Sequence, residues 1–272
     1  MLHAGFKSLN YLLAGLLLIA PLNLVFAESA SIAIIIDDIG NNLHSGKRVV
    51  NSRIPFACSI LPARPHSIKL ARLAHQHGKE VMLHLPMQAS KSERLGYGAL
   101  TADMSQHELN RIVDISLDAV PHVRGINNHM GSMLTSNTSY MEWLMQAISN
   151  RDESLFFIDS RTTSRTVAAS TAHTYHIPNL QRDVFLDATA NDAAFVKQQI
   201  KHLVKIAKQK GYALAIGHPY RTTLNVLEQE FADAELHGVQ LVSVSELITI
   251  AADQKRIKES YTTWQKSASL AY

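Results

Sequence analysis

Two aspartates stand side by side where an apolar run stops. Residues 32–36 (IAIII) are apolar and mostly β-branched, and Asp37, Asp38 and Gly40 follow almost at once. This is the pattern of a buried parallel strand that delivers two carboxylates to its C-terminal edge. In α/β folds that edge is where ligands are held. Neighbouring side chains at a strand end can point in different directions, so one carboxylate can hold a cation while the other stays free as a base. The plainer alternative has Asp38 capping the next helix and Asp37 half exposed.

Other apolar runs end in the same way. His84 follows VML, Asn127-Asn128-His129 follow a short strand begun at 123, and Asp159-Ser160-Arg161 follow FFI. Arg182-Asp183 interrupt a less regular strand or loop at 177–187, and His218 follows ALAIG. A carboxylate with two imidazoles is a sufficient set for Zn²⁺ or another divalent transition metal, with a position left for water. Such an ion lowers the pKa of a water it holds to about 7. His84, His129 and His218 share one edge with two aspartates, which marks them as functional. By contrast His75, His77, His173, His176, His202 and His237 lie in or near helices without evident partners and read as solvated. Asp159-Ser160-Arg161 reads equally well as a cap followed by a surface charge.

The elements that must position these groups alternate. Helical spacing covers 41–52, the stretch from Ser67 to the stop at Gly78, Ser105 (with Glu108 forming a capping box) to about Ala119, 139–149, Ala193–Lys210 before Gly211, and 221–236. Strands are expected at 32–38, 54–62, 80–86, 123–132 (breaking into a polar loop), 154–159, 212–219 and in VQLVSV. Lys91–Met104 is a glycine-containing excursion over the sheet edge, of the kind that contributes to binding sites. Seven or eight strand–helix units imply an α/β fold, an irregular (β/α) barrel of seven or eight parallel strands in a single domain.

Composition narrows the class. The 272 residues are 46% hydrophobic and 18% charged, an ordinary globular balance. A net charge of +3 is too small, and the Lys and Arg too dispersed, to suggest a nucleic-acid partner, and none is expected. Lys7 is the only Lys, Arg, Asp or Glu before Glu28, and Tyr11–Phe26 is nearly continuous apolar sequence ending Val25-Phe26-Ala27. Residues 1–27 therefore read as a signal peptide cleaved after Ala27. Pro21, Asn23 and the short apolar run speak against an uncleaved anchor. A barrel domain at 28–253 and a polar C-terminal tail at 254–272, helical or frayed, follow. The single cysteine, Cys58, allows no internal disulfide and sits in an apolar run as an inert thiol. Export without bridges fits a bacterial periplasmic protein, with no stable membrane insertion after cleavage.

Taken together, IIIDDIGNN, VMLHLPMQ, GINNHMGS, IDSRTT, RDVFLD and AIGHP resemble the divergent polysaccharide deacetylase family of bacteria, within the NodB-type carbohydrate esterase superfamily. The similarity covers nearly the whole chain after position 27. It implies a NodB-like barrel in which Asp37 is the general base, Asp38 and His84 are metal ligands, and His218 is the general acid. In the superfamily a second histidine ligand stands four residues after the first, where this chain has Gln88; His129, at the next strand end, is taken instead. An arginine that orients the base is also implied, and Arg124, Arg161 and Arg182 remain candidates. Asp159 or Asp183 would orient His218. Asn128, Arg161 and Arg182 are the candidate substrate-binding groups. The implied function is a metal-dependent hydrolase that removes N- or O-acyl (acetyl) groups from a cell-envelope glycan. The alternatives are a catalytically degenerate glycan-binding or envelope-assembly protein, which Gln88 favours, and a metal-free glycosidase using Asp37 with Asp159 or Asp183.

Overall fold

The computed structural model describes residues 30–91, 95–189, 191–232 and 238–269; the expected signal peptide at 1–27 and His237 lie outside them. β1 (Ala30–Ile39) runs through the middle of the sheet because its residues are buried on both faces, as a parallel strand covered on both sides requires. It pairs in parallel with β2 (Ala57–Ile60), β8 (Tyr212–Gly217) and β9 (Val239–Leu241). Outward from β2 lie β3 (Val81–Met87), β4 (Val123–Met130), β5 (Phe156–Asp159) and β6 (Asn179–Gln181), and β7 (Val184–Phe185) pairs with β8. The order is β6-β5-β4-β3-β2-β1-β8-β7, with β9 beside β1. The two ends of this path do not pair with each other, so the barrel is open between β6 and β7. Residues 177–187, expected as one irregular strand, thus divide into two short strands at opposite margins of that opening.

Among the described residues, eight α-helices are set between and after the strands: α1 (Leu43–Asn51), α2 (Ser67–Gln76), α3 (Gln106–Asp118), α4 (Thr138–Arg151), α5 (Ala168–Thr174), α6 (Ala193–Lys210), α7 (Arg221–Glu230) and α8 (Val244–Ser269). Local chemistry sets several boundaries. The side chain of Asn42 accepts from the backbone of His44 and Ser45, so Asn42, not Asp38, caps α1. Ser105 and Glu108 form the expected capping box on α3. Gly211, left-handed at φ 87°, ends α6. The strand expected through 244 stops at Leu241, and α8 runs unbroken across 254.

The two faces of the sheet are buried differently. Ile34, Ile36, Leu83, Leu85, Ile126 and Phe157 pack among the outer helices. Ala33, Ile35, Ala57, Met82, Phe156, Ile158, Leu214 and Ile216 fill the inside of the curl, which Val244 and Leu247 of α8 close from beneath. Val244 N–H donates to Glu80, just before β3, and β9 joins β1 at Ala30–Ile32, so α8 seals the N-terminal end of the barrel. The C-terminal end is left open for a site. Cys58 is buried, and burial pushes its thiol up to about 12, as an inert core thiol requires. Among the described residues no helix is long and apolar enough to cross a membrane.

Candidate functional site

Side chains alternate between the faces of a strand. The next inward positions beyond Ile35, Ala57, Met82, Ile158, Phe185 and Ile216 are therefore Asp37, Ser59, His84, Ser160, Asp187 and His218. Asn127 and His129 occupy the same face of β4, opposite to Ile126. Simple alternation thus brings together groups from β1, β2, β3, β4, β5, β7 and β8 at one mouth.

Asp38 is the exception that completes the site. By alternation it would point outward with Ile36. Between Ile36 and Ile39, however, the register with β2 advances from Cys58 to Ile60, so three residues on β1 face two on β2. This bulge coincides with a left-handed φ of 58° at Asp38, a conformation aspartate tolerates better than most side chains. The consequence is two adjacent carboxylates on one side of the sheet, the re-aiming that bulges near active sites commonly provide.

Asp38, His84 and His129 offer ligand atoms that all lie within 4.8 Å of one another. Asp38 Oδ1 lies 3.3 Å from His84 Nε2 and 3.1 Å from His129 Nδ1, yet it is buried without a hydrogen bond. The tautomer of His84 sharpens this. Its Nδ1 lies 2.8 Å from the amide oxygen of Asn127, which can only accept, so Nδ1 carries a hydrogen and, in the neutral ring, Nε2 presents its lone pair. The nitrogens of the two imidazoles meet at 3.1 Å. A buried carboxylate oxygen and two imidazole nitrogens converging in this way fit a divalent cation. The electrostatics agree. Burial would raise the Asp38 carboxyl, but the neighbouring imidazoles of His129 and His84 hold it well below the usual carboxylate range. For His84, burial opposes the charged form, and Asp37 and Asp38 overcome it, raising the imidazole. The pocket therefore favours positive charge between its carboxylates.

His218 faces this cluster from the other wall, its Nε2 3.7 Å from Asp38 Oδ2. Asp187 holds it in place: Oδ1 lies 2.9 Å from His218 Nδ1, while Oδ2 accepts from the His218 backbone at 2.7 Å and from Thr223 Oγ1 at 2.9 Å. Gly217 permits the approach, since a Cβ there would meet Leu186 at 3.2 Å and Asp187 Oδ2 at 3.4 Å. Burial would lower the His218 pKa, but the Asp187 hydrogen bond and the charges of Asp187, Asp37 and Asp38 raise it to about 9. Tyr220 stacks on the ring with centroids 5.3 Å apart, and Phe185 meets it edge-on at 5.5 Å.

Several expected site residues stand elsewhere. Asp159 shares the outward face of Phe157, where it accepts from Arg161 N and Thr166 Oγ1, both at 2.8 Å. Asp183 is inward by alternation but lies at the N-terminal end of β7, paired with Lys210 at 3.1 Å and bonded to Leu214 N at 2.9 Å. Neither orients His218, and Asp187 does so instead. Asn128 points outward and clamps β4 to β5, donating to Met130 O at 2.7 Å and accepting from Ser160 N at 2.9 Å, so its amide is spent on backbone. Arg124 is at the N-terminal end of β4, where its charge acts on Asp152. Arg161 is exposed, with a left-handed φ of 49°. Arg182 donates to Ser160 O at 2.7 Å and Arg161 O at 2.9 Å. Its guanidinium is near enough for Asp37 to act on its charge, but the donor that reaches Asp37 is Asn127, at 2.9 Å. Gln88 is no ligand; its side chain accepts from Ala102 N at 2.7 Å and braces the loop after β3.

The chain is similar to known proteins over most of its length. Residues 34–248 match the family described as divergent polysaccharide deacetylase. YibQ of Escherichia coli K12, an uncharacterized protein, is 36% identical over 201 residues, covering 74% of this chain and 62% of that one. The match thus spans less than two thirds of that relative. Among solved structures, the uncharacterized protein ATU2773 of Agrobacterium tumefaciens C58 superposes with a TM-score of 0.77 at 19% identity, covering 82% of this chain and 90% of that one. BA3943 of Bacillus anthracis, described as a CE4 family pseudoenzyme, superposes at 0.51 with 12% identity, covering 81% and 66%. A mutant of BA3943 has restored enzymatic activity.

Proposed function

Because the chain belongs to the divergent polysaccharide deacetylase family, we propose that it is a metal-dependent hydrolase that removes N- or O-linked acyl groups, acetyl above all, from a glycan of the bacterial cell envelope, outside the cytoplasm. The observation that carries this reading is the buried, unsatisfied oxygen of Asp38 between two imidazoles, with one further carboxylate and one carboxylate-held imidazole beside it.

Asp38, His84 and His129 would hold Zn²⁺ or another divalent transition ion. Bound there, such an ion supplies a Lewis acid for the acyl carbonyl and acidifies a water. The remaining steps belong to the chain. Asp37 takes a proton from the attacking water as the new C–O bond forms. His218 gives a proton from Nε2 to the leaving amine or alcohol as the C–N or C–O bond breaks. Asp187 keeps Nδ1 of that ring engaged, so Nε2 is the nitrogen presented to substrate. Tyr220 and Phe185 wall the imidazole and limit water around it.

The second reading, a glycan-binding or envelope-assembly protein that has lost catalysis, is favoured by Gln88, which braces a loop where the superfamily has a histidine ligand. One experiment separates the two: zinc content of purified protein, alongside acetate release from acetylated envelope glycans. About one equivalent of zinc, lost in Asp38→Ala, His84→Ala and His129→Ala, together with acetate release, supports the hydrolase. Failure to take up zinc from excess overturns it in favour of the binding protein.

A further inference from the structure

Asn127 is completely buried and uses all four hydrogen-bonding positions of its amide. Its nitrogen donates to Asp37 Oδ1 at 2.9 Å and to Ser160 Oγ at 3.3 Å. Its oxygen accepts from Ser59 Oγ at 2.7 Å and faces His84 Nδ1 at 2.8 Å. The orientation of the amide is not arbitrary. An ionised Asp37 can only accept, so nitrogen must face it, and the oxygen must then face His84. One rigid group therefore fixes both the carboxylate expected to move a proton and the tautomer of a histidine expected to hold the ion.

We propose that Asn127 is a positioning residue that couples the base to the metal site. Its oxygen forces His84 to offer Nε2 to a cation, and its N–H sets the direction of the Asp37 carboxylate. Arg182 acts on Asp37 only through its charge; the hydrogen bonds of its guanidinium go to the carbonyls of Ser160 and Arg161, and the one that reaches Asp37 comes from Asn127. The split between the two ends of one amide gives separable consequences, since groups that orient metal-bound histidines change metal affinity by about ten- to a hundredfold. The catalytic half of this inference rests on the hydrolase reading; the tautomer half does not.

The test uses the full chain with Asn127→Asp, Asn127→Ala and Ser59→Ala. Zinc affinity is read by chelator competition, the His84 tautomer by ¹⁵N NMR of the zinc-free protein, and acetate release as kcat and KM. Asn127→Asp keeps an oxygen toward His84 and loses the N–H toward Asp37. It is expected to hold zinc at least as well as wild type and to keep the Nδ1–H tautomer, while kcat falls about a hundredfold at little change in KM. Asn127→Ala should weaken zinc binding about ten- to a hundredfold and release the tautomer. Ser59→Ala removes one of the two groups that meet the amide oxygen and should shift zinc affinity and the tautomer in the direction of Asn127→Ala, by less than Asn127→Ala does. An Asn127→Ala protein with wild-type zinc affinity and an unchanged tautomer overturns the proposal, as does an Asn127→Asp protein with wild-type kcat. If Asn127→Ala does not fold, the near-isosteric Asn127→Asp carries the decision. If the wild type takes up no zinc and releases no acetate, the hydrolase reading fails, and the tautomer comparison still decides what Asn127 does.

Discussion

Asp37 and Asp159 lie at the C-terminal ends of two parallel strands of one sheet, Asp37 two residues before the last and Asp159 the last, each after an isoleucine, and both are buried, at 4% and 1% exposure. Their company differs completely. Asp37 faces inward, with the Asn127 amide at 2.9 Å and His84 Nδ1 at 3.6 Å. Asp159 faces outward and spends both oxygens on its own loop, through Arg161 N and Thr166 Oγ1. The same contrast separates Asn127 from Asn128, adjacent in sequence: one joins four side chains of the site, the other ties backbone to backbone. Strand ends therefore gather polar side chains against one another on the inside of the curl and tie backbone on the outside, and a single step along the chain moves a polar residue from one office to the other.

The largest effect that tests this contrast is on turnover. Asp37→Asn is expected to lower kcat by about 10²–10⁴-fold with KM and melting temperature little changed. Loss of stability with unchanged turnover per folded molecule would make Asp37 a second Asp159 and dissolve the distinction. Next in size is the metal. Zinc at about a hundred times its dissociation constant should stabilise wild type by about 2.7 kcal/mol, seen as a raised melting temperature. His129→Ala should lose that increment. A shift that survives in His129→Ala reassigns the third ligand. On the outer face, Asp159→Asn should cost about 1 kcal/mol of stability, because the amide keeps one accepting oxygen where the carboxylate offers two to a pair of part-buried donors. Its kcat per folded molecule should stay as it was, and a collapse of kcat without unfolding would place Asp159 among the catalytic groups.

Much of this was legible in the sequence, and the misses have physical reasons. An apolar β-branched run ending in charge is a strong signal, and it located β1, β3, β5 and β8 together with Asp37, Asp38, His84, His129 and His218. Face assignment was harder, because a strand apolar on both sides gives no alternation from which to read in from out. Hence residue type and spacing group Asp159 and Asn128 with the site, and only the structure separates them from it. Asp187 was missed although Val184-Phe185-Leu186 precedes it much as Ile34-Ile35-Ile36 precedes Asp37; residues 177–187 looked like one element. Only the division into β6 and β7 puts Asp187 at a strand end beside β8. The bulge that turns Asp38 inward leaves no mark in residue type beyond the aspartate itself, and the buried role of Asn127 depends on partners from four other strands.

Asp187 and Asp183 sharpen the contrast along a strand instead of across it, with effects that run from moderate to small. They flank the same two-residue strand, β7, Asp183 directly before it and Asp187 two residues after it. Asp187→Asn should lower kcat about ten- to a hundredfold, by analogy with other groups that orient a functional histidine, and leave zinc binding intact. Asp183→Ala should do neither. Its ion pair with Lys210 is partly exposed, 37% on the lysine side, and pairs of that kind contribute about 0–1 kcal/mol. The bond from Leu214 N adds a contribution of about 1 kcal/mol, so a fall of a few degrees in melting temperature is the whole expected outcome. Salt separates the two components, because screening weakens the exposed pair and leaves the backbone bond nearly untouched. The stability gap between Asp183→Ala and wild type should therefore narrow only slightly at high ionic strength. A drop in kcat for Asp183→Ala would mean that the N-terminal end of β7 controls where Asp187 sits, and that the two ends of so short a strand cannot be assigned separate work.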